Sequence, residues 1–206
     1  MASRRPVVSP RAVARRVAAL TGMQVQLKIE LRDVKPLVWR RLLVPETVTL
    51  AKLHLILQRA MGWTNSHLHE YEIARERYGV PDDDDDWPGA KPLTDERRVR
   101  LKPLIEGGLR RFTYQYDFGD SWEHVIKVED LVLPKSGAPP IVCFAGANAC
   151  PPEDVGGSTG YADFLEVLAD PHHEEHTHML SWAGGAFDPA AFNLTEINMS
   201  LATIKP

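Results

Sequence analysis

Residues Phe112 to Glu129 read FTYQYDFGDSWEHVIKVE, and this stretch decides the fold. Phe112, Tyr114, Tyr116 and Phe118 alternate with Thr113, Gln115 and Asp117, the period-2 pattern of a half-buried strand. Ser121 to Glu129 reads as its partner, and Gly119-Asp120 suits a two-residue hairpin loop with glycine where positive φ is needed. That loop predicts Asp117 opposite Trp122 and Gln115 opposite His124, with Asp117, Trp122 and His124 on one face. A carboxylate diagonal to an imidazole can orient it for proton transfer or metal binding, or simply make a structural hydrogen bond.

Working outward, Val25, Leu27, Ile29 and Leu31 alternate in the same way, and Val38 to Val44 forms a second predicted strand before Pro45. Thr49 is a predicted N-cap for a helix to about Met61, with Leu50, Leu53, Leu57, Ala60 and Met61 at helical spacing and Gly62 as its stop. His67 to Ile73 returns to strand alternation, which puts His67, His69, Tyr71 and Ile73 on one face. Gly79 to Pro92 is an acidic loop containing five consecutive aspartates, Asp82 to Asp86, spaced unlike an EF-hand and read as a solvated run. Val99 to Leu101 reads as a short strand, Ser158 to Pro171 as a helix, and Pro189 to Ile204 as helical again. Strands in the middle and helices towards the end give an α+β class: a mixed or antiparallel sheet with helices packed on it, in a single domain.

The chain has 206 residues, 44% of them apolar and 25% charged, which is ordinary globular usage. Its net charge of -4 divides unevenly. Arg4, Arg5, Arg11, Arg15 and Arg16 stand in residues 1–22 without an acid, so the remaining chain carries -9. The acid-free start resembles a mitochondrial presequence, but Pro6 and Pro10 interrupt it, and a disordered basic arm is the preferred reading. An acidic body opposes a polyanion, so nucleic-acid contact is expected only through that arm. Cys143 and Cys150 form no C-x-x-C motif, and the sequence has no apolar run long enough for a membrane span; a cytoplasmic location follows as the expectation.

Several polar groups could carry chemistry. His67 and His69 at i, i+2 have a spacing that recurs in metal sites on strands, with His124, Asp117 or Glu153 as further ligands. Glu153 and Asp154 lie between the stiff Cys150-Pro151-Pro152 and the permissive Gly156-Gly157, which suits a functional loop or a plain turn with Asp154 or Ser158 as a helix cap. His172, Glu175 and His176 spell H-x-x-E-H, but only 30 residues follow His176, and a solvated helix start with Glu174 and Glu175 in its first turn explains the segment. The sequence lacks a P-loop, a G-x-S-x-G elbow and a Rossmann fingerprint.

Taken together, Pro36 to Arg41, Leu53-His54, Gly62-Trp63, His67 to Tyr71, Tyr114 to His124, and Cys150 to Gly157 with Gly160-Tyr161 resemble the plasmid pRiA4b ORF-3-like family. Trp182, Phe187-Asp188-Pro189 and Phe192 fit its C-terminal signature, so the resemblance runs from about Met23 to the C-terminus. It implies an α+β domain without an assigned reaction. Some members carry resolvase-like names, which this sequence does not support, and some have a cysteine where Val155 stands here, which weakens a thiolate site. The resemblance carries His54, His67, His69, Asp117, Asp120, His124, Glu153 and Asp154 as the family's motif polar residues.

The expectation is a binding module whose pocket takes a small ligand, metal or peptide through His67, His69, Asp117, Asp120, Trp122, His124, Glu153 and Asp154. A divalent metal is the cofactor class these donors admit, with His67, His69 and His124 as ligands. The alternatives are a metal-dependent hydrolase-like enzyme and a plasmid or transposon accessory protein touching DNA through its arginines.

Overall fold

A computed structural model describes residues 22–81 and 92–205. The basic arm, save Gly22, and the aspartate run therefore lie outside the described residues. Eight strands form one open mixed sheet in the order β5-β4-β3-β6-β7-β1-β2-β8. They are β1 (Gln24–Leu31), β2 (Trp39–Pro45), β3 (His69–Ile73), β4 (Glu76–Gly79), β5 (Leu93–Asp95), β6 (Arg111–Tyr116), β7 (Trp122–Val132) and β8 (Val142–Ala147). Every pairing is antiparallel except β4 with β5. Among the described residues five α-helices accompany the sheet: α1 (Leu50–Met61), α2 (Leu101–Glu106), α3 (Gly157–Ala169), α4 (His176–Trp182) and α5 (Leu194–Leu201). The α+β expectation holds. Among the described residues no helix is long and apolar enough to cross a membrane.

The alternating residues do what their period requires. Val25, Leu27, Ile29 and Leu31 of β1 line one face together with Phe112, Tyr114 and Tyr116 of β6, all buried. Helix α1 covers that face with Leu50, Leu53, Ile56, Leu57 and Ala60. It starts where Thr49 accepts a hydrogen bond from the Lys52 N–H and ends at Gly62, whose φ of 95° closes the last turn. The Tyr71 hydroxyl, buried in the sheet, donates to the Leu50 carbonyl and ties helix to strand. Arg40 is a buried cation without a carboxylate; its guanidinium donates instead to the carbonyls of Trp39, Ala60, Ala147 and Asn148, joining β2, α1 and the end of β8.

Local expectations around the sheet fail at three places. The β6–β7 hairpin pairs Tyr116 with Trp122 and Tyr114 with His124, so its loop is the five residues 117–121, not two. The cause is an Asx turn: Asp117 at φ 56° accepts hydrogen bonds from the Gly119 and Asp120 N–H groups, and Ser121 is also at positive φ. That extra length takes Asp117 off the sheet face it was expected to share with Trp122 and His124. Strand β3 begins at His69; the Leu68 carbonyl still accepts from the Asp117 N–H at the hairpin mouth, but the chain bends at His67, which therefore does not share a strand face with His69. Residues 99–101 form no strand; Arg100 makes one bridge with Thr49 and Leu101 begins α2.

Candidate metal centre

Three loops meet at the β6–β7 end of the sheet. His67 lies on the connection from α1 to β3, Asp117 on the hairpin loop, and Asp154 on the connection from β8 to α3. Their ligand atoms all fall within 4.8 Å of one another. His67 Nε2 is 3.0 Å from Asp154 Oδ1 and 3.6 Å from Asp117 Oδ2. Yet Nε2, shielded from solvent, has no hydrogen-bond partner of acceptable geometry. One imidazole nitrogen and two carboxylate oxygens converging in this way are a donor set of the kind divalent cations use.

The surroundings hold these donors in place. Asp117 Oδ1 is committed to the turn, which leaves Oδ2 to face His67. On the other side, Asp120 Oδ2 accepts from the Gly156 N–H, and a Cβ on Gly157, at φ 68°, would lie 2.5 Å from the Asp120 carbonyl oxygen. The close approach of these two loops therefore requires glycine. The expected side-chain cap of α3 is absent; Gly156 occupies the cap, and Asp154, at φ 61°, is turned outward, 68% of its side chain exposed.

Glu153 is a brace. One oxygen accepts from the Tyr116 hydroxyl at 2.5 Å, and the other from the Thr64 N–H and hydroxyl. The Tyr116 oxygen accepts in turn from the Ser66 and His67 N–H groups. Burial, helped by the carboxylate it faces, pushes the Tyr116 phenol well above its ordinary pKa and keeps it protonated as donor. Trp63 stacks on Tyr116 with ring centroids 5.0 Å apart and donates to the Pro151 carbonyl, so the same ring system locks the loops carrying His67 and Asp154.

The other predicted residues lie in different environments. His124 is fully buried, with Nδ1 3.1 Å from the Trp122 carbonyl and 3.2 Å from the Tyr114 carbonyl; desolvation lowers its pKa to about 4. It makes no hydrogen bond to Asp117. Trp122 is a buried side chain in the core cluster. His69 joins a second cluster whose members share no local sequence pattern. Its ring stacks on His54 at 3.5 Å and 3°, and its Nε2 lies 2.9 Å from a buried Glu96 oxygen. His54 meets the Tyr114 hydroxyl at 2.7 Å and Asn65 Oδ1 at 2.5 Å, and burial, with His69 beside it, lowers its pKa to about 4. Gln58 completes that network, donating to Tyr114 and accepting from the Asn65 N–H. The H-x-x-E-H segment does not form one helix face, since α4 starts at His176 with His172 before it, and Glu174 and Glu175 precede its first turn where they were expected within it.

A profile of plasmid pRiA4b ORF-3-like proteins matches residues 23–196. The chain belongs to the plasmid pRiA4b ORF-3-like family. It is 45% identical over 179 residues to the uncharacterized protein y4hQ of Sinorhizobium fredii, a match covering 86% of this chain and 90% of that one. It is also similar to the crystal structure of the protein of unknown function MM3350 from Methanosarcina mazei, with a TM-score of 0.77 and 34% identity over 84% of this chain and 97% of that one. The family thus fixes the fold and leaves the chemistry to the site.

Proposed function

We propose that this member of the family is a binding module that holds one divalent cation on His67 Nε2, Asp117 Oδ2 and Asp154 Oδ1. The observation that carries the reading is the His67 nitrogen, buried between two carboxylates without a hydrogen bond. An ion with ligand bonds of about 2.0–2.2 Å sets its donor atoms roughly 3–4 Å apart, so the cluster closes on a cation with a small side-chain adjustment. One imidazole with two carboxylates suits zinc, manganese or ferrous iron better than magnesium or calcium, which prefer all-oxygen shells. Three protein ligands leave coordination positions for water or a bound ligand.

Binding is favoured over hydrolysis because Glu153, the carboxylate adjoining the ligand set, has both oxygens engaged as a brace and none aimed at a metal-bound water. The unpaired thiols Cys143 and Cys150 support a reducing, cytoplasmic setting. The test is metal analysis of the full chain, followed by calorimetric titration with Zn²⁺ and Mn²⁺. One equivalent is expected, with affinity falling at least about 100-fold in His67→Ala and in Asp117→Asn, which keeps the turn acceptor while removing the charge. Unchanged affinity in both variants contradicts the assignment.

A further inference from the structure

We propose that the groove between α3 and α4 binds a small organic cation: an apolar, preferably aromatic body carrying a protonated amine. Two helix faces build it. Gly160, Asp163, Phe164 and Val167 fall on one face of α3 at i, i+3, i+4 and i+7, and Glu175, His178, Met179 and Trp182 repeat that spacing from the start of α4. The faces do not close on each other and leave a cavity of about 400 Å³, within the size range of small-molecule sites.

The lining sorts into two kinds. Phe164 and Trp182 meet edge to face at 6.0 Å, which fixes the indole although 44% of Trp182 remains exposed. Asp163 and Glu175, both exposed to solvent, line the same space with His178, and neither carboxylate has an ion pair or hydrogen bond to another of the described residues. Asp154 lies at the rim, and no lysine or arginine lines the groove. An anion would meet two uncompensated charges there. A neutral apolar molecule would leave them unused, whereas an ammonium group satisfies them while its body covers the aromatic wall. The groove shares Asp154 with the proposed metal centre but rests on that reading for nothing else, because its own charges are Asp163 and Glu175.

The experiment uses 2-phenylethylamine as the probe and 3-phenylpropionate, similar in size and opposite in charge, as its control. Each is titrated calorimetrically into chelator-treated full-length protein and into the same protein with Zn²⁺, and the Trp182 indole N–H is followed by NMR. Saturable amine binding is expected in both forms, with the Trp182 signal moving and propionate at least about tenfold weaker. The Asp163→Asn, Glu175→Gln double variant keeps the helices and should lose about tenfold or more in amine affinity. Trp182→Ala should also weaken the amine. Equal binding of propionate, an unchanged double variant, or no saturation by the amine overturns the proposal. Binding seen only with Zn²⁺ overturns it too, by moving the amine to the metal. Failure of Zn²⁺ to bind leaves the groove prediction standing, so the two readings fail separately.

Discussion

His54 and His67 lie on either side of the same helix terminus, yet their surroundings are opposite in kind. His54 is stacked on His69 and bonded through both nitrogens to Tyr114 and Asn65, inside a network closed by Gln58 and Glu96. His67 has two carboxylates within 3.6 Å of Nε2 and no hydrogen bond from it. The first cluster is chemically rich but self-satisfied, so its histidines belong to the folding energy. The second gathers donor atoms from three loops with its imidazole nitrogen unbonded. A count of histidines does not separate the two, nor does an unbonded nitrogen alone, since His124 Nε2 is buried and unbonded as well; the carboxylates converging on His67 do.

The sharpest way to break this contrast is acid titration. The buried imidazoles of His54 and His124 hold pKa values near 4 in the folded chain, against an ordinary 6.5. Between those limits the unfolded chain binds more protons, so stability is full above about pH 6.5 and falls as pH drops towards 4. Each histidine then removes on the order of 3 kcal/mol. Equilibrium denaturation at stepped pH should show this slope, and His124→Gln should lose about half of it; a flat profile from pH 7 to 4 would show that these rings are solvated.

Glu96→Ala strips the self-satisfied cluster of its acceptor and should cost about 3 kcal/mol in urea unfolding, since it leaves His69 unpaired in a buried site. A loss below about 0.5 kcal/mol would mean that the pair does not hold the fold. Tyr116→Phe removes the hydroxyl that joins Glu153 to the His67 loop. It should cost about 1–2 kcal/mol and weaken metal binding roughly tenfold, because it loosens a ligand without deleting one. The smallest effect belongs to His67→Ala: within about 0.5 kcal/mol in metal-free protein, because its nitrogen makes no hydrogen bond and its nearest carboxylate, Asp154, is largely exposed. A drop of 2 kcal/mol there would recast the His67 contacts as structural.

Much of the frame was legible in the chain. The period-2 runs of β1 and β6, and the Thr49 to Gly62 limits of α1, are local patterns that the structure keeps. Strands β4, β5 and β8 were missed because they are short or rich in glycine and alanine, and gain their place only by pairing with neighbours distant in sequence or across the 82–91 segment. The site was half legible. His67, Asp117 and Asp154 all stood among the candidate residues, but a turn that lengthens by three residues is decided by where one aspartate side chain bonds, and that moved Asp117 away from His124 and towards His67. Glu96 had no local signal at all, since its partner is 27 residues away.

Anomalous diffraction from crystals of the full chain soaked in Zn²⁺ decides between the two histidine clusters. One strong peak is expected within about 2.0–2.3 Å of His67 Nε2, Asp117 Oδ2 and Asp154 Oδ1 and none at the His54–His69–Glu96 cluster. A peak at that second cluster, or no peak among His67, Asp117 and Asp154, would contradict it.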